Sequence, residues 1–292
     1  MRKKANTLKK IGIVGAGLIG ASLAKKLTSS GFEVICVGRN RKHLLKARTL
    51  GVCSEISTDL SDLSRCDIVV VSTPVDVIIE ISKKIIPLMK KGAVITDVGS
   101  VKSNICARLS VFAKKCGVSF VGAHPMAGSE KSGCENARSD LFEKSSVFIT
   151  PVKETNRNAL KVVAEMWEKT GASCLITRPA RHDRFAAVAS HLPHLISFCF
   201  MEMFLDFEKK NGKAKEAAAG SFRDITRVAK SSPAVWNAIF KENRAFLSKN
   251  VKVFINKLEN MMECLKSRKL TGRLNKIKTG YEKIENKIGK SR

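Results

Sequence analysis

The sequence predicts two halves of different kind, an α/β half followed by an all-α half, and three observations carry that reading. Short β-branched runs alternate with amphipathic helical patterns as far as Ile176. A glycine-rich turn stands between the first run and the first helical pattern, and no convincing strand occurs after Arg178-Pro179. The expected boundary is therefore 1–178 against 179–292.

The elements follow in order. Ile11–Val14 and Glu33–Val37 read as the first two strands, with the helical pattern Leu18–Ser30 between them. Ile68–Ser72, Ala93–Thr96, Ser119–Val121, Val147–Thr150 and Cys174–Ile176 complete the strands, and Ile78–Met89 is a further amphipathic helix. Nearly continuous apolar strands separated by helices indicate a parallel sheet covered on both faces. The later connections are shorter, which leaves part of the sheet open to mixed or antiparallel pairing. Beyond Pro179 come helical patterns over Arg181–Lys209, Ala214–Lys230 and Pro233–Leu265, then a frayed tail. Ser231-Ser232-Pro233 has the form of an N-cap with proline in the first turn. Met201, Met203, Phe204 and Phe207 widen the apolar face of the first of these helices. Such a face needs another helix. A second subunit is the favoured cover, with an internal core of one chain as the alternative.

Composition narrows the class. The chain has 292 residues, 44% of them hydrophobic, which describes a globular protein with a substantial core. The net charge of +27 attracts polyanions and also suits an enzyme with multiply anionic substrate and cofactor. A single tyrosine, with phenylalanines mostly in apolar runs, argues against a nucleic-acid stacking surface. The nine cysteines are odd in number and contain no C-x-x-C, so free thiols in a reducing compartment are expected, with no metal cage. Met1-Arg-Lys-Lys ahead of an apolar segment superficially resembles a signal peptide, but that segment is a strand, turn and helix interrupted by Lys25 and Lys26. No run reaches transmembrane length on this reading, and a cytoplasmic location is expected. From Val251 onward twelve Lys/Arg face four Asp/Glu, read as a solvated helix and basic tail.

The turn Gly15-Ala-Gly17-Leu18-Ile19-Gly20 follows a strand and opens a helix, the context in which G-x-G-x-x-G holds a pyrophosphate on helix N–H groups. The expected architecture is thus an α/β N-terminal Rossmann-type dinucleotide-binding domain followed by an all-α C-terminal dimerisation domain. Ser72, Thr73 and Pro74, at the end of a neighbouring strand, join the same crevice. The second strand ends in Gly38-Arg39-Asn40-Arg41 without the carboxylate that binds a ribose 2′-hydroxyl. Arg39 and Arg41 suit a 2′-phosphate, so NADP is preferred over NAD; the plainer reading makes them part of the basic surface.

Four further clusters carry the chemistry: Asp97-Val-Gly-Ser100-Val-Lys102, Gly122-Ala-His124-Pro-Met-Ala-Gly-Ser129-Glu130, His191-Leu-Pro-His194 and Gly220-Ser-Phe-Arg223-Asp224-Ile-Thr-Arg227. Each has a bland alternative. Ser100 could cap a helix, His191 and His194 lack partner ligands for a metal, and Arg223, Asp224 and Arg227 could be a surface ion-pair cluster. Their joint occurrence beside a dinucleotide fold favours function. His124 is expected in a loop just after the strand Ser119–Val121.

These motifs, with G-A-G-L-I-G-A-S at Gly15–Ser22, together resemble the prephenate/arogenate dehydrogenase family of tyrosine biosynthesis, from about Ile11 to about Leu265. The resemblance implies NAD(P)-dependent oxidative decarboxylation of prephenate, or of its amino counterpart arogenate, by a homodimer. It implies that His124 is the catalytic histidine and that Ser100 binds near it and the nicotinamide. Arg227 then grips a substrate carboxylate, with Arg223 as a second basic group at the mouth and His194 in the substrate pocket. Ser129 and Glu130 match polar positions at the pocket edge, and Trp236 walls the pocket or belongs to the core. A two-domain dehydrogenase of the β-hydroxyacid type is the rival, but its helical-domain lysine motif is missing.

Overall fold

The computed structural model describes residues 9–129 and 131–290. Eight strands form one sheet: β1 (Lys10–Val14), β2 (Glu33–Val37), β3 (Glu55–Ser57), β4 (Ile68–Val71), β5 (Val94–Asp97), β6 (Ser119–Pro125), β7 (Ser146–Thr150) and β8 (Ser173–Ile176). Their spatial order is β3-β2-β1-β4-β5-β6-β7-β8. The first six pair in parallel, in the doubly wound order that reverses between β1 and β4. β7 then runs antiparallel to β6, and β8 returns parallel to β7. The mixed end of the sheet foreshadowed by the short later connections is present. The three-residue β3 has no counterpart among the expected strands, because Glu-Ile-Ser is too short to show a period.

Both faces of the sheet are covered, as the continuous apolar strands require. Ile11, Ile13, Val34, Cys36 and Val121 pack toward α1 (Leu18–Ser29), α2 (Arg41–Thr49) and α5 (Arg157–Glu168). Val14, Ile35, Val69, Val71 and Ile95 pack on the other face with Ile78 and Ile85 of α3 (Ile78–Ile85) and Ile105 and Leu109 of α4 (Ser103–Lys115). At about 25 cal/mol per Å² of apolar surface, this two-sided burial is the main force fixing the strand ends that carry the site. The expected helix Ile78–Met89 tightens into a 3-10 turn at Ile86–Leu88, where Pro87 has no N–H for the next helical bond.

Among the described residues, every element after β8 is helical. One 33-residue helix spans Pro179–Asn211, built from α6 (Pro179–Ala186), a π-helical turn Ala187–His191, and α7 (Leu192–Asn211). By length and composition this helix could cross a bilayer, which corrects the expectation that no segment reaches that length. His182, Asp183, His191 and Ser197 on it are buried within the chain, so one side packs on protein. The expected helix Ala214–Lys230 is broken into a 3-10 turn Ala214–Ala217, α8 (Gly220–Thr226) and a second 3-10 turn Arg227–Lys230. Pro233 does open α9 (Pro233–Glu242) at its first turn, but the Ser232 side chain makes no capping bond.

The expected helix Pro233–Leu265 divides at Asn243, where the chain also divides into two compact units, 1–243 and 244–292. The second unit contains α10 (Arg244–Leu265) and α11 (Leu270–Lys290). Within it, Arg273 of α11 donates to the Asn260 carbonyl at 2.6 Å and lies 3.2 Å from Cys264 Sγ.

Candidate active site

The glycine turn sits where β1 and β4 diverge, at the carboxyl ends of the strands, the usual ligand crevice of this fold. Gly15 has φ +98, and a Cβ there would lie 2.5 Å from the Ser72 carbonyl oxygen. A Cβ on Gly20 would lie 2.0 Å from the Gly15 carbonyl oxygen, so only glycine lets α1 approach the turn. Gly17, by contrast, faces open space. No side chain caps the first turn of α1 and no acidic residue stands in it. Thr73 Oγ1, just past the end of β4, is buried without a hydrogen-bond partner among the described residues. Open space beside Gly17, uncapped N–H groups and an orphaned hydroxyl are the features that a dinucleotide pyrophosphate fits. Leu18 and Ile19 belong to that first turn, and Pro74 is exposed beyond Thr73.

Beyond β2, Arg39 and Arg41 are both exposed, and neither forms a salt bridge among the described residues. The Asn40 side chain accepts the His43 N–H at 3.2 Å and so caps α2. A Cβ on Gly38 would find its nearest neighbour, Leu44 Cδ2, at 3.6 Å, so the position has room for a side chain.

The chemical centre lies further along the same edge of the sheet. His124 is inside β6, which continues past Val121 to Pro125 by pairing Gly122–Pro125 with β7; the expected loop position is thereby corrected. Glycine and proline look like turn residues in sequence, but Pro125 is the terminal residue of the strand, where the lost N–H matters least. His124 stands opposite Phe148 in that register. Beneath it lies a fully buried ion pair. Lys102 Nζ contacts Asp97 Oδ2 and donates to the Ala123 carbonyl at 2.9 Å. Asp97 also accepts the Gly99 N–H at 2.9 Å and the Ala123 N–H at 3.3 Å. The pair ties β5, the Ser100 turn and the His124 strand together at a point where β6 has left β5. Ser100, half-buried, lies in that turn and makes no hydrogen bond to His124 among the described residues.

Helix α6 supplies two residues that sequence reading missed. His124 Nδ1 is 2.8 Å from His182 Nε2, and His182 Nδ1 is 2.8 Å from Asp183 Oδ1. Asp183 Oδ1 and Oδ2 in turn accept the backbone N–H groups of Lys102 and Ser103, each at 2.8 Å. A carboxylate from another helix thus caps α4, the role that sequence offered to Ser100. The only sequence hint is Arg181-His182-Asp183 behind a helix-starting proline, which is ordinary for a first turn.

His191 is also buried; Asn243 Nδ2 lies 2.9 Å from its Nδ1 and donates to the Asp183 carbonyl at 2.9 Å, while the His191 Nε2 has no hydrogen-bond partner among the described residues. His194 stacks on Trp236, centroids 3.5 Å apart, and its Nδ1 is 2.9 Å from the Ser190 carbonyl oxygen.

Electrostatics follow from this burial. Burial first, then His182, Lys102 and His191, push the His124 imidazole well below the ordinary histidine range. Burial likewise lowers His182, against the opposing pull of Asp183, and lowers His191 to about 4. His194 is lowered by burial, with Arg227 contributing, which places that guanidinium in its electrostatic neighbourhood. A neutral imidazole at neutral pH is a competent proton acceptor.

The remaining candidates are less engaged. Arg223 and Arg227 are exposed on α8 and the turn after it, and no salt bridge joins them to Asp224 among the described residues. Ser129 is exposed and accepts the Lys131 N–H at 3.2 Å, a local turn contact. Glu130 lies outside the described residues.

Known proteins resemble both halves of this chain. Residues 23–176 match the model of the prephenate dehydrogenase nucleotide-binding domain, and residues 178–278 match that of the prephenate dehydrogenase dimerization domain. The crystal structure of A. aeolicus prephenate dehydrogenase, with hydroxyphenyl propionate and NAD+, superposes with a TM-score of 0.88 at 33% identity, covering 96% of this chain and 100% of that one. Synechocystis arogenate dehydrogenase gives 0.79 at 30% identity, over 94% of this chain and 99% of that one. Cyclohexadienyl dehydrogenase of Zymomonas mobilis is 32% identical over 263 residues, 89% of each chain. With both halves matched in order and the glycine turn and buried histidine in place, the chain belongs to the prephenate dehydrogenase family, and its first half is a nicotinamide dinucleotide domain.

Proposed function

We propose that the protein catalyses oxidative decarboxylation of prephenate to 4-hydroxyphenylpyruvate, with NADP preferred over NAD. The observation that carries this reading is a buried, neutral His124 held in a strand next to the dinucleotide crevice. A bound nicotinamide supplies the hydride acceptor. His124 accepts the proton of the C4 hydroxyl as the carbon becomes carbonyl-like, and the barrier falls because that developing positive charge has a base within reach. Loss of carbon dioxide from C1 then sends the bonding electrons into the ring. The resulting phenolate takes its proton back from His124, so the residue ends as it began. Ser100 orients the hydroxyl, Arg227 binds a substrate carboxylate, Arg223 adds positive potential at the mouth, and His194 and Trp236 form a stacked wall. Ser129 borders the entrance, and for Glu130 the pocket-edge role rests on its place in the motif.

The preference for NADP rests on Arg39 and Arg41, exposed and without salt bridges among the described residues, and on the lack of a carboxylate at the end of β2. Asn40 contributes by fixing the start of α2 between them. The exposed Met203, Leu205 and Phe207 on α7 support a homodimer through the helical half, and the family to which that half belongs is named for dimerisation. A cytoplasmic protein with nine free thiols fits this role. Reduced-nicotinamide absorbance with prephenate and with arogenate, each against NADP and NAD, tests the proposal. Turnover with neither substrate refutes it, and a higher kcat/KM with NAD removes the cofactor preference.

A further inference from the structure

Which nitrogen of His124 faces the substrate is decided by the chain of groups behind it. Asp183 accepts two backbone N–H groups at 2.8 Å, so both its oxygens are committed as acceptors. Burial opposes its charge, but the hydrogen bonds from His182, Ser103 and Lys102 hold its carboxyl below the usual range, and it is ionised. A carboxylate has no proton to offer, so the contact with His182 requires His182 Nδ1 to donate. A neutral ring that donates from Nδ1 carries its lone pair on Nε2, and that atom faces His124 Nδ1 at 2.8 Å. His124 Nδ1 is then the donor, and its Nε2 is left as the acceptor. Phe148 packs edge-on against His182, centroids 5.2 Å apart, and holds the ring in that plane.

We propose that His182 and Asp183 are positioning residues that lock His124 in the Nδ1–H tautomer, presenting Nε2 to the substrate hydroxyl. This rests on the reading of His124 as the proton acceptor. The same chain has a second use. When His124 Nε2 gains a proton, its Nδ1–H bond to His182 strengthens and Asp183 stands behind as the counter-charge. The buried imidazolium is therefore stabilised without moving Lys102, which is already paired with Asp97.

The test needs no substrate. The chain holds only five histidines, of which His43 is exposed and the other four lie in or beside this cluster. Two-bond proton–nitrogen spectra of the full-length protein with labelled histidine, taken above pH 7.5 and assigned by single substitutions, report each tautomer directly. The structure requires Nδ1–H for His124, His182 and His194, and Nε2–H for His191, whose Nδ1 accepts from Asn243. An Nε2–H tautomer at His124 in the unsubstituted protein overturns the proposal. Two variants add the functional arm. His182→Phe removes the acceptor, and we expect His124 to shift to Nε2–H with kcat about a hundredfold lower and KM within about threefold. His182→Gln, whose amide oxygen can accept from His124 while its N–H donates to Asp183, should recover at least about tenfold of that loss. Unchanged kcat in His182→Phe, or no recovery in His182→Gln, refutes the positioning role; if His182→Phe does not fold, the spectrum of the unsubstituted protein decides. A protein inactive on prephenate but showing Nδ1–H at His124 sinks the functional reading alone.

Discussion

Substituting Lys102 by methionine probes how the site is held. Lys102 and Asp97 are both fully buried. The substitution keeps the volume and removes the charge, leaving Asp97 with only the Gly99 and Ala123 N–H groups and the Ala123 carbonyl with one bond fewer. Breaking one side of a buried pair costs about 3–5 kcal/mol, because the remaining charge is stranded in a low-dielectric interior. For a unit of 243 residues, each kcal/mol lowers Tm by about 2–4 °C, so a fall on the order of 10 °C is expected. Differential scanning calorimetry at pH 7.5 measures it. The double variant Asp97→Asn/Lys102→Met replaces both charges by neutral groups and should melt well above the single variant, since nothing charged is left unpaired. A single variant melting within about 2 °C of the parent refutes the reasoning, as does a double variant no more stable than the single.

The site itself supports four more tests. His124→Asn should retain cofactor affinity by fluorescence titration yet lose several orders of magnitude in kcat; near-normal turnover removes it as the proton acceptor. Arg227→Ala should raise KM strongly with a smaller effect on kcat, and an unchanged KM assigns the carboxylate to another residue. Gly38→Asp, sterically permitted at 3.6 Å from Leu44, should weaken NADP relative to NAD by about tenfold or more, and equal effects on both discredit the 2′-phosphate argument. Acid should destabilise the fold early. Histidines buried neutral bind protons more readily when unfolded, so stability is full above about pH 6.5 and is lost as pH falls toward the lowered native values. His191 alone, lowered to about 4, accounts for about 3 kcal/mol over that window, and a Tm that stays flat from pH 7 to 5 contradicts it.

Much of the fold is legible in the residues, and the failures share a cause. The strands β1, β2, β4 and β5 and the glycine turn are local patterns, set by side chains a few residues apart, and they appear within a residue or so of where the sequence puts them. The end of β6 escapes sequence reading because its last four residues are made into a strand by β7, some 20 residues downstream. His182 and Asp183 carry no sequence signature because their role is defined by what they meet across 58 and 81 positions, His124 and the Lys102 N–H. Asn243 divides an otherwise continuous helical pattern while its side chain is buried against His191 and Asp183, a tertiary demand that overrides propensity. Sequence reading thus finds residues marked by a local pattern and misses those whose place is set by contacts far along the chain.

The placement of His124 within a ladder, rather than on a connecting loop, separates two kinds of change. Its backbone is fixed by β7 on one side and, through Ala123, by the Lys102 and Asp97 groups on the other. The exposed turn at Ser129 lies outside that ladder, so exchanging residues there is expected to leave the imidazole in place. The rim can therefore vary between relatives while the setting of the buried imidazole is inherited intact. Loop grafts from relatives with different substrates are accordingly the rational starting point for redesign, and the strand is the part to leave alone.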